Sequence, residues 1–417
     1  MGGGVSSSSS SSLKHTVGYS VCYRAKDGEM LAKDCTPSSR HTSVAPKLVW
    51  LAKNLLEGNS QLSDFDIGRI IGKGLMGTVR IARYNEKNSF VAIKSIKKRY
   101  IAKHKDERHI NNERKIMMEL NSSFCVKLFS CFQDTNNIYF AMELVPGGEL
   151  FHRLVKVEKM DANTAQFYAW ETFSALYHLQ SLGYVYRDLK PENVLIDAEG
   201  HCKLIDFGFS TRPDSQGLMR TCVGTPLYLS PEQLNGKFTG GYTASVDWWS
   251  FGVFLFELLT GRTPFSKNTN DTHYEVYIRI LKSNGVPFPW GFDPLSKSLI
   301  SELCQKDMKR RLIDPKMIVK HKYFSQSPVE IDGARGVSYH WETIEDRRLI
   351  PPYIPRLSND RHADDRYFGD KFDDDEFKPN SFASGKKSSL RYRSSSDHSM
   401  HILNDASRDN SSRFTGF

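Results

Sequence analysis

The sequence predicts an α+β fold in which a small strand-rich unit is joined to a larger helical one. The order of the elements is the first observation behind this. From Ser63 to about Phe324 the chain opens with strand-like segments, passes a charged helical stretch near 104–121, returns to strands until about 142 and is mostly helical thereafter. The second is composition: 39% hydrophobic and 12% aromatic residues are ordinary for a globular protein, and 417 residues are enough for two or three compact units. The third is WWSFGVFLFELL at 248–259, which reads as a buried helix because it falls short of the roughly 20 apolar residues of a membrane span and is interrupted by Ser250 and Glu257.

Bulk chemistry excludes several classes. The seven cysteines are odd in number and scattered singly, without CxxC or His-linked spacing, which argues against a disulfide framework or a structural zinc and for a reducing compartment. The net charge of +9 is spread among acids rather than gathered into aromatic-interleaved basic blocks, so no nucleic-acid partner is expected. No apolar core of a secretory signal is present, and the expected location is cytoplasmic, with reversible membrane association or nuclear shuttling as further options.

Residues 1–44 begin MGGGVSSSSSSS and stay rich in Ser, Gly and Lys, which predicts a disordered arm. Met1-Gly2 with Ser6 fits a short acylation pattern, and weak membrane association is expected only if Gly2 is acylated, since one acyl chain binds marginally. Residues 45–58, APKLVWLAKNLLEG, place Leu48, Leu51 and Leu55 at helical spacing before Gly58 and predict a short amphipathic helix.

At 71–79, IGKGLMGTV holds Gly72, Gly74 and Gly77 in a GxGxxG pattern. Such glycines serve two kinds of site: a dinucleotide turn that opens a helix and meets an acid about 20 residues on, or a hairpin that covers phosphates. The sequel TVRIARYNEKNSFVAIKSI reads strand, turn, strand, so the hairpin is expected. Its second strand carries Lys94, an ammonium able to reach the α- and β-phosphates of a nucleotide, and Glu113 in the charged helix is the anion expected to orient it.

Residues 184–196, YVYRDLKPENVLI, supply three polar groups between apolar runs. A loop held this way can aim Asp188 at a substrate hydroxyl, Lys190 at the transferring phosphoryl and Asn193 at a metal. Asp206, at the end of the next strand-like run, offers a second oxygen ligand, and one amide with one carboxylate suffices for Mg²⁺ because that ion keeps waters and substrate phosphates in its shell. Phosphoryl transfer needs positioning and charge neutralisation more than covalent help, and these segments provide both.

Taken in order, Gly72/Gly74/Gly77, Lys94, Glu113, Tyr186-Arg187-Asp188, Asp206-Phe207-Gly208 and Ser230-Pro231-Glu232 resemble the protein-kinase signature over about residues 65–324. The resemblance implies a bilobal protein-kinase fold, a β-rich small lobe over about 65–142 and a helical large lobe over about 147–324, with ATP and Mg²⁺ between them. It implies Val79, Glu143, Val145 and Glu149 around the nucleotide, and structural roles for Asp247 and for Arg311 with Glu232.

Tyr186, the doublet Trp248-Trp249 and the stretch 325–417 resemble the AGC group, most of all its cAMP-dependent catalytic subunits. PPYIP at 351–355, KFDDDEF at 371–377 and the final Phe414-Thr415-Gly416-Phe417 resemble the C-terminal tail of that group, with Phe372 closing over the adenine. The resemblance implies Ser/Thr phosphorylation of protein substrates with Arg before the target residue, read by Glu149, Glu192 and Glu257. It also implies a phosphosite at Thr221, paired with Arg187 and with His109 of the charged helix and served by an upstream kinase, and a separate cyclic-nucleotide-binding regulatory subunit, since the two tails offer no room for such domains. Cys222, Leu227 and Thr211 depart from the group's pattern, in the segment that holds the phosphate and meets the residue after the target. Basic-flanked Ser394–Ser396 are candidate autophosphorylation sites. Two alternatives stand beside this reading: another basophilic kinase of the group, cGMP-dependent-like or regulated by lipid or calcium, and a scaffold that keeps the fold without catalysis. Lys94, Asp188, Asn193 and Asp206 together argue against the scaffold.

Overall fold

A sheet of five antiparallel strands forms the first half of the structure, a computed structural model that describes residues 60–74, 77–104, 107–268, 270–325, 346–357 and 367. The strands are β1 (Phe65–Lys73), β2 (Gly77–Tyr84), β3 (Ser89–Lys97), β4 (Leu128–Gln133) and β5 (Asn137–Glu143), in the order β1-β2-β3-β5-β4. The hairpin expected after the glycine pattern is there: β2 and β3 pair in unbroken register from Gly77 opposite Ile96 to Tyr84 opposite Ser89. Asn88 takes a left-handed φ of 49° at its turn, a conformation Asn tolerates better than most residues.

Between β3 and β4 run α1 (Lys98–His104) and α2 (Glu107–Glu119), where the sequence suggested one helix near 104–121. Helix α1 gave little signal because Ile101 is its sole buried side chain, and one apolar residue makes no periodic stripe. Helix α2 buries Ile110, Glu113, Ile116 and Met117 on one face, so a carboxylate is carried into the interior among apolar neighbours.

Beyond β5 the chain is largely helical, with α3 (Leu150–Val157), α4 (Ala162–Ser181), the small hairpin of β6 (Val194–Ile196) and β7 (Cys202–Leu204), α5 (Pro231–Thr239), α6 (Ser245–Thr260), α7 (His273–Lys282), α8 (Pro294–Leu303), α9 (Pro315–Lys320) and α10 (Lys322–Ser325). The apolar run at 248–259 lies inside α6, which is buried nearly all round and ends at Gly261 with φ 75°. Asp161 caps α4 by accepting from the amides of Asn163 and Thr164, both at 3.0 Å.

Two joints connect the sheet to the helical half. The connector after β5 is pinned to β6, with Gly147 N donating to Ile196 O at 2.8 Å and Ile196 N to Gly148 O at 2.9 Å. Before β4, Val126 N donates to Leu204 O and Leu204 N to Phe124 O, which fastens the chain to β7. Farther on, residues 346–357 lie against the β6–β7 turn: Arg347 pairs with Asp197, Leu349 is buried, and the Arg153 guanidinium lies 4.2 Å from the centre of the Tyr353 ring.

The arm at 1–44, the helix expected at 45–58, Gly2, Phe372, the acidic run at 371–377, Ser394–Ser396 and the final Phe-Thr-Gly-Phe all lie outside the described residues. No described helix is long and apolar enough to cross a membrane.

Candidate active site

Lys94 sits on the central strand β3, opposite Val79 of β2 and Phe140 of β5. Its Nζ donates to Glu113 Oε1 at 2.6 Å and lies 4.0 Å from Asp206 Oδ1. Burial works against the Lys94 charge, but Glu113 and Asp206 outweigh it and raise its pKa, so the ammonium is kept protonated. Burial pushes the Glu113 carboxyl up while Lys94 pulls it down. Glu113 Oε2 is buried without a hydrogen-bond partner, so the ion pair through Oε1 is what holds this carboxylate inside.

The three glycines of the hairpin are not equivalent. A Cβ at Gly77 would meet Ser95 O at 1.9 Å, so the close passage of β2 over β3 requires glycine there. At Gly72 and Gly74 a Cβ would meet nothing among the described residues nearer than 3.6 and 4.0 Å, which leaves their bare backbone for an approaching ligand. Gly74 N donates to Gly77 O at 2.9 Å and closes the loop.

The segment 186–193 is held from below by Asp247 at the start of α6. Its carboxylate accepts from the amides of Tyr186 at 2.9 Å and Arg187 at 2.8 Å. With Arg187 at φ 69°, the chain turns so that Asp188 follows. Asp188 Oδ1 accepts from Thr225 Oγ1 at 2.6 Å, and its Oδ2 accepts from Asn193 Nδ2 at 2.8 Å with Lys190 Nζ 3.2 Å away. Burial pushes the Asp188 carboxyl above the usual range, against the pull of Lys190 and Thr225.

Asp206 follows β7 in a left-handed conformation, φ 58°, and its Oδ1 accepts from Gly208 N at 3.2 Å. Non-glycine residues enter that region at a cost, and such positions gather at functional sites. Phe207 is fully buried and meets Tyr186 edge-on, with ring centres 5.9 Å apart. Ile205 N donates to Asn193 O at 3.0 Å, which sets the segment bearing Asn193 beside the one bearing Asp206. The amide nitrogen of Asn193 is committed to Asp188, which leaves its oxygen as the atom available to a cation. One amide oxygen and one carboxylate form a hard, open donor set that fits Mg²⁺. No group of three or more His, Cys, Asp or Glu that would suit a caged metal occurs among the described residues.

Val145 is buried in the connector, while the Glu143 side chain pairs with Lys203 at 3.0 Å and accepts from Lys127 N at 3.3 Å. Its carboxylate is therefore turned to the protein, and a nucleotide base is left with the connector's backbone. Of the three acids expected to read basic substrates, Glu149 opens α3 and is partly exposed, Glu192 is half-buried, and Glu257 is buried and accepts from the Tyr228 hydroxyl. Burial pushes Glu149 up to about 7, with Lys190 opposing, and Glu257 up to about 8, with the Tyr228 hydrogen bond opposing and Glu192 adding to it. Burial also raises Glu192, to which Glu149 and Asp188 contribute, so the acids feel one another. Glu192 Oε2 is buried with no hydrogen-bond partner.

Thr221 is exposed, and its hydroxyl accepts from Arg187 at 2.9 Å. Tyr242 completes this corner, accepting from Arg187 at 2.9 Å and donating to Thr221 O at 2.5 Å. Sequence reasoning missed Thr225 and Tyr242. A single hydroxyl residue in GTPLY or GGYTA carries no pattern, and the one available signal was that Thr225 precedes the Pro of a turn leading into Ser230-Pro231-Glu232. The expected pair of Glu232 and Arg311 is present and buried, with a second contact at 2.9 Å.

This fold and this constellation define a protein kinase domain: the chain matches the protein kinase domain family over residues 65–324 and belongs to it. Domains of this family work with ATP and Mg²⁺. Its curated relatives are kinases of the AGC group. The chain is 36% identical over 301 residues to a RAC family serine/threonine-protein kinase homolog of Dictyostelium discoideum, covering 71% of this chain and 63% of the relative. It is 34% identical over 326 residues to a cAMP-dependent protein kinase catalytic subunit of Arthrobotrys oligospora, covering 76% and 59%. With the cAMP-dependent protein kinase catalytic subunit PRKX of Mus musculus it shares 37% identity over 303 residues, 72% of this chain and 79% of that one. The chain thus spans less than two thirds of the length of the first two relatives.

Proposed function

We propose that the chain is an active Ser/Thr protein kinase of the cAMP-dependent type, moving the γ-phosphoryl group of ATP to hydroxyls that follow arginine in the substrate. The observation that carries the catalytic part is the gathering of Asn193, Lys190 and Thr225 on the buried carboxylate of Asp188, beside the Lys94–Glu113 pair. In this reading Asp188 takes the proton of the substrate hydroxyl while that oxygen bonds to the γ-phosphorus and the bond to ADP breaks. Lys190 lies against Asp188 and neutralises charge on the transferring group, and Lys94, held by Glu113, orients the α- and β-phosphates. Asn193 and Asp206 would hold Mg²⁺, which would supply charge neutralisation on the phosphates. Gly72, Gly74 and Gly77 shape the cover, with Val79, the backbone of Glu143, Val145 and Glu149 around base and ribose.

The preference for basic substrates is supported by Glu149, Glu192 and Glu257, above all by the buried, unpartnered Oε2 of Glu192. A carboxylate oxygen in that state gains most from a guanidinium that supplies paired donors. The names of the Arthrobotrys and mouse relatives favour the cAMP-dependent type, and with it a regulatory subunit that binds cyclic nucleotide. The RAC relative keeps open another member of the AGC group. Phosphorylation of Thr221 by an upstream kinase, acylation of Gly2 and a C-terminal tail that brings Phe372 to the adenine belong to the same proposal.

The test is phosphate transfer to an Arg-Arg-x-Ser peptide. Wild type should label it, and Asp188→Asn should lose about 10²- to 10⁴-fold in kcat, the usual worth of a placed base. Equal rates, or no transfer by either chain, would leave a scaffold. Copurification of a subunit released by cAMP would separate the cAMP-dependent type from its AGC neighbours.

A further inference from the structure

The kinase reading leaves Glu119, Tyr184 and Arg212 without a role, yet they converge. Glu119 Oε2 accepts from the Tyr184 hydroxyl at 2.9 Å and from Arg212 NH2 at 2.9 Å, and the guanidinium lies 4.4 Å from the centre of the Tyr184 ring. The backbone explains why the two partners stand side by side. Val185 and Thr211 exchange hydrogen bonds at 2.8 and 3.0 Å, which sets Tyr184 and Arg212 next to each other beneath the end of α2. A second pin lies farther up the same helix, where Asn112 Nδ2 donates to Ser210 O at 2.6 Å.

Asn112, Ile116 and Glu119 are spaced i, i+4, i+7 and so share one face of α2, with Ile116 fully buried between the two polar contacts. Both pins hold the stretch 210–212, which follows Asp206-Phe207-Gly208. Two attachments almost two turns apart fix the helix against rotation about its own axis. Glu113, one residue from Asn112, is the side chain such a rotation would withdraw from Lys94.

We infer that Glu119 and Arg212, stacked on Tyr184, are positioning residues that hold α2 with Glu113 on Lys94 before Thr221 is phosphorylated. An isolated exposed ion pair would hold little. Here one carboxylate oxygen serves both a phenol and a guanidinium, and the guanidinium also rests on the phenol ring, so the contacts reinforce one another. Arg187 already meets the unmodified Thr221 hydroxyl, so phosphate there adds to a helix already seated. The inference rests on the kinase reading for its catalytic consequence, but the seating of α2 is a property that can be measured without catalysis.

The experiment compares the full chain, Thr221→Ala, Glu119→Ala and the double variant, together with wild type phosphorylated on Thr221. It reads amide hydrogen exchange across 107–119 and the kcat and KM for ATP with the Arg-Arg-x-Ser peptide. Thr221→Ala should leave exchange in 107–119 slow. Adding Glu119→Ala should speed exchange there and lower kcat/KM for ATP at least tenfold, whereas Glu119→Ala in the Thr221-phosphorylated chain should cost less than threefold. In the Thr221→Ala background Arg212→Ala should speed exchange as Glu119→Ala does, and combining the two should add little further. Glu119→Ala acting equally in both backgrounds, exchange that does not respond to it, or Thr221→Ala alone loosening the helix would each overturn the inference. If no chain labels the peptide, the kinase reading fails, and hydrogen exchange still decides whether the tether holds α2.

Discussion

In the proposed reading of basic substrates, Glu257 makes substrate capture depend on pH. Its carboxyl is pushed up to about 8 by burial, against an ordinary value near 4.5, so below that pH the folded chain carries a proton there. A substrate guanidinium binds the ionised form, and the proton must leave. The KM for an Arg-Arg-x-Ser peptide should therefore fall as pH rises from 6 to 8, by as much as tenfold per unit while one proton is released. In Glu257→Gln the upper part of that slope should vanish, leaving the part due to Glu149 near 7. Stability runs the other way. Between about 4.5 and 8 the native state holds more protons than the unfolded chain, so stability falls as pH rises through that window, and Glu257→Gln should show a smaller decline, the part due to Glu149 remaining. Melting temperatures of both chains at pH 6 and 8.5 check the sign.

At the scale of the element, the glycine hairpin divides its work between folding and binding. Gly77→Ala drives a Cβ into the carbonyl of Ser95, so it should lower the melting temperature and raise the KM for ATP together. Gly74→Ala has room in the free protein, so it should leave the melting temperature within about 1 °C while raising the KM for ATP, because a methyl group then stands where phosphate would approach. Titration with ATP alongside thermal unfolding separates the two. This hairpin was legible in the sequence because its signals are local: glycines at fixed spacing, strand, turn, strand. The Lys94–Glu113 pair was legible as part of an ordered set of motifs. Thr225 and the Lys203–Glu143 pair were not, since each partner is an ordinary polar residue until the fold brings together positions 37 and 60 apart in the chain. The short helix at 98–104 escaped for want of an apolar stripe, while the tether at Glu119 reads in sequence as an exposed charge.

For the molecule as a whole, the notable contact is the stretch 346–357 laid across the joint between the halves. Leu349 is buried in the main core, a Cβ at Gly147 would meet Pro355 Cγ at 2.6 Å, and one at Gly200, where φ is 98°, would meet Tyr353 O at 2.3 Å. Leu349→Asp should release this stretch, exposing it to limited proteolysis and lowering the melting temperature, since a buried Leu side chain is worth about 1.5–3 kcal/mol. Gly200→Ala should do the same from the opposite surface. Gly147 and Gly148 are also the residues that fasten the connector to β6. The stretch is held to the β6–β7 turn and to α3, and Pro355 lies against Gly147, so any swing of the sheet must bend at a connector splinted from the helical side. In the proposed kinase, peeling back this splint should alter turnover without disturbing a single group that would touch phosphate.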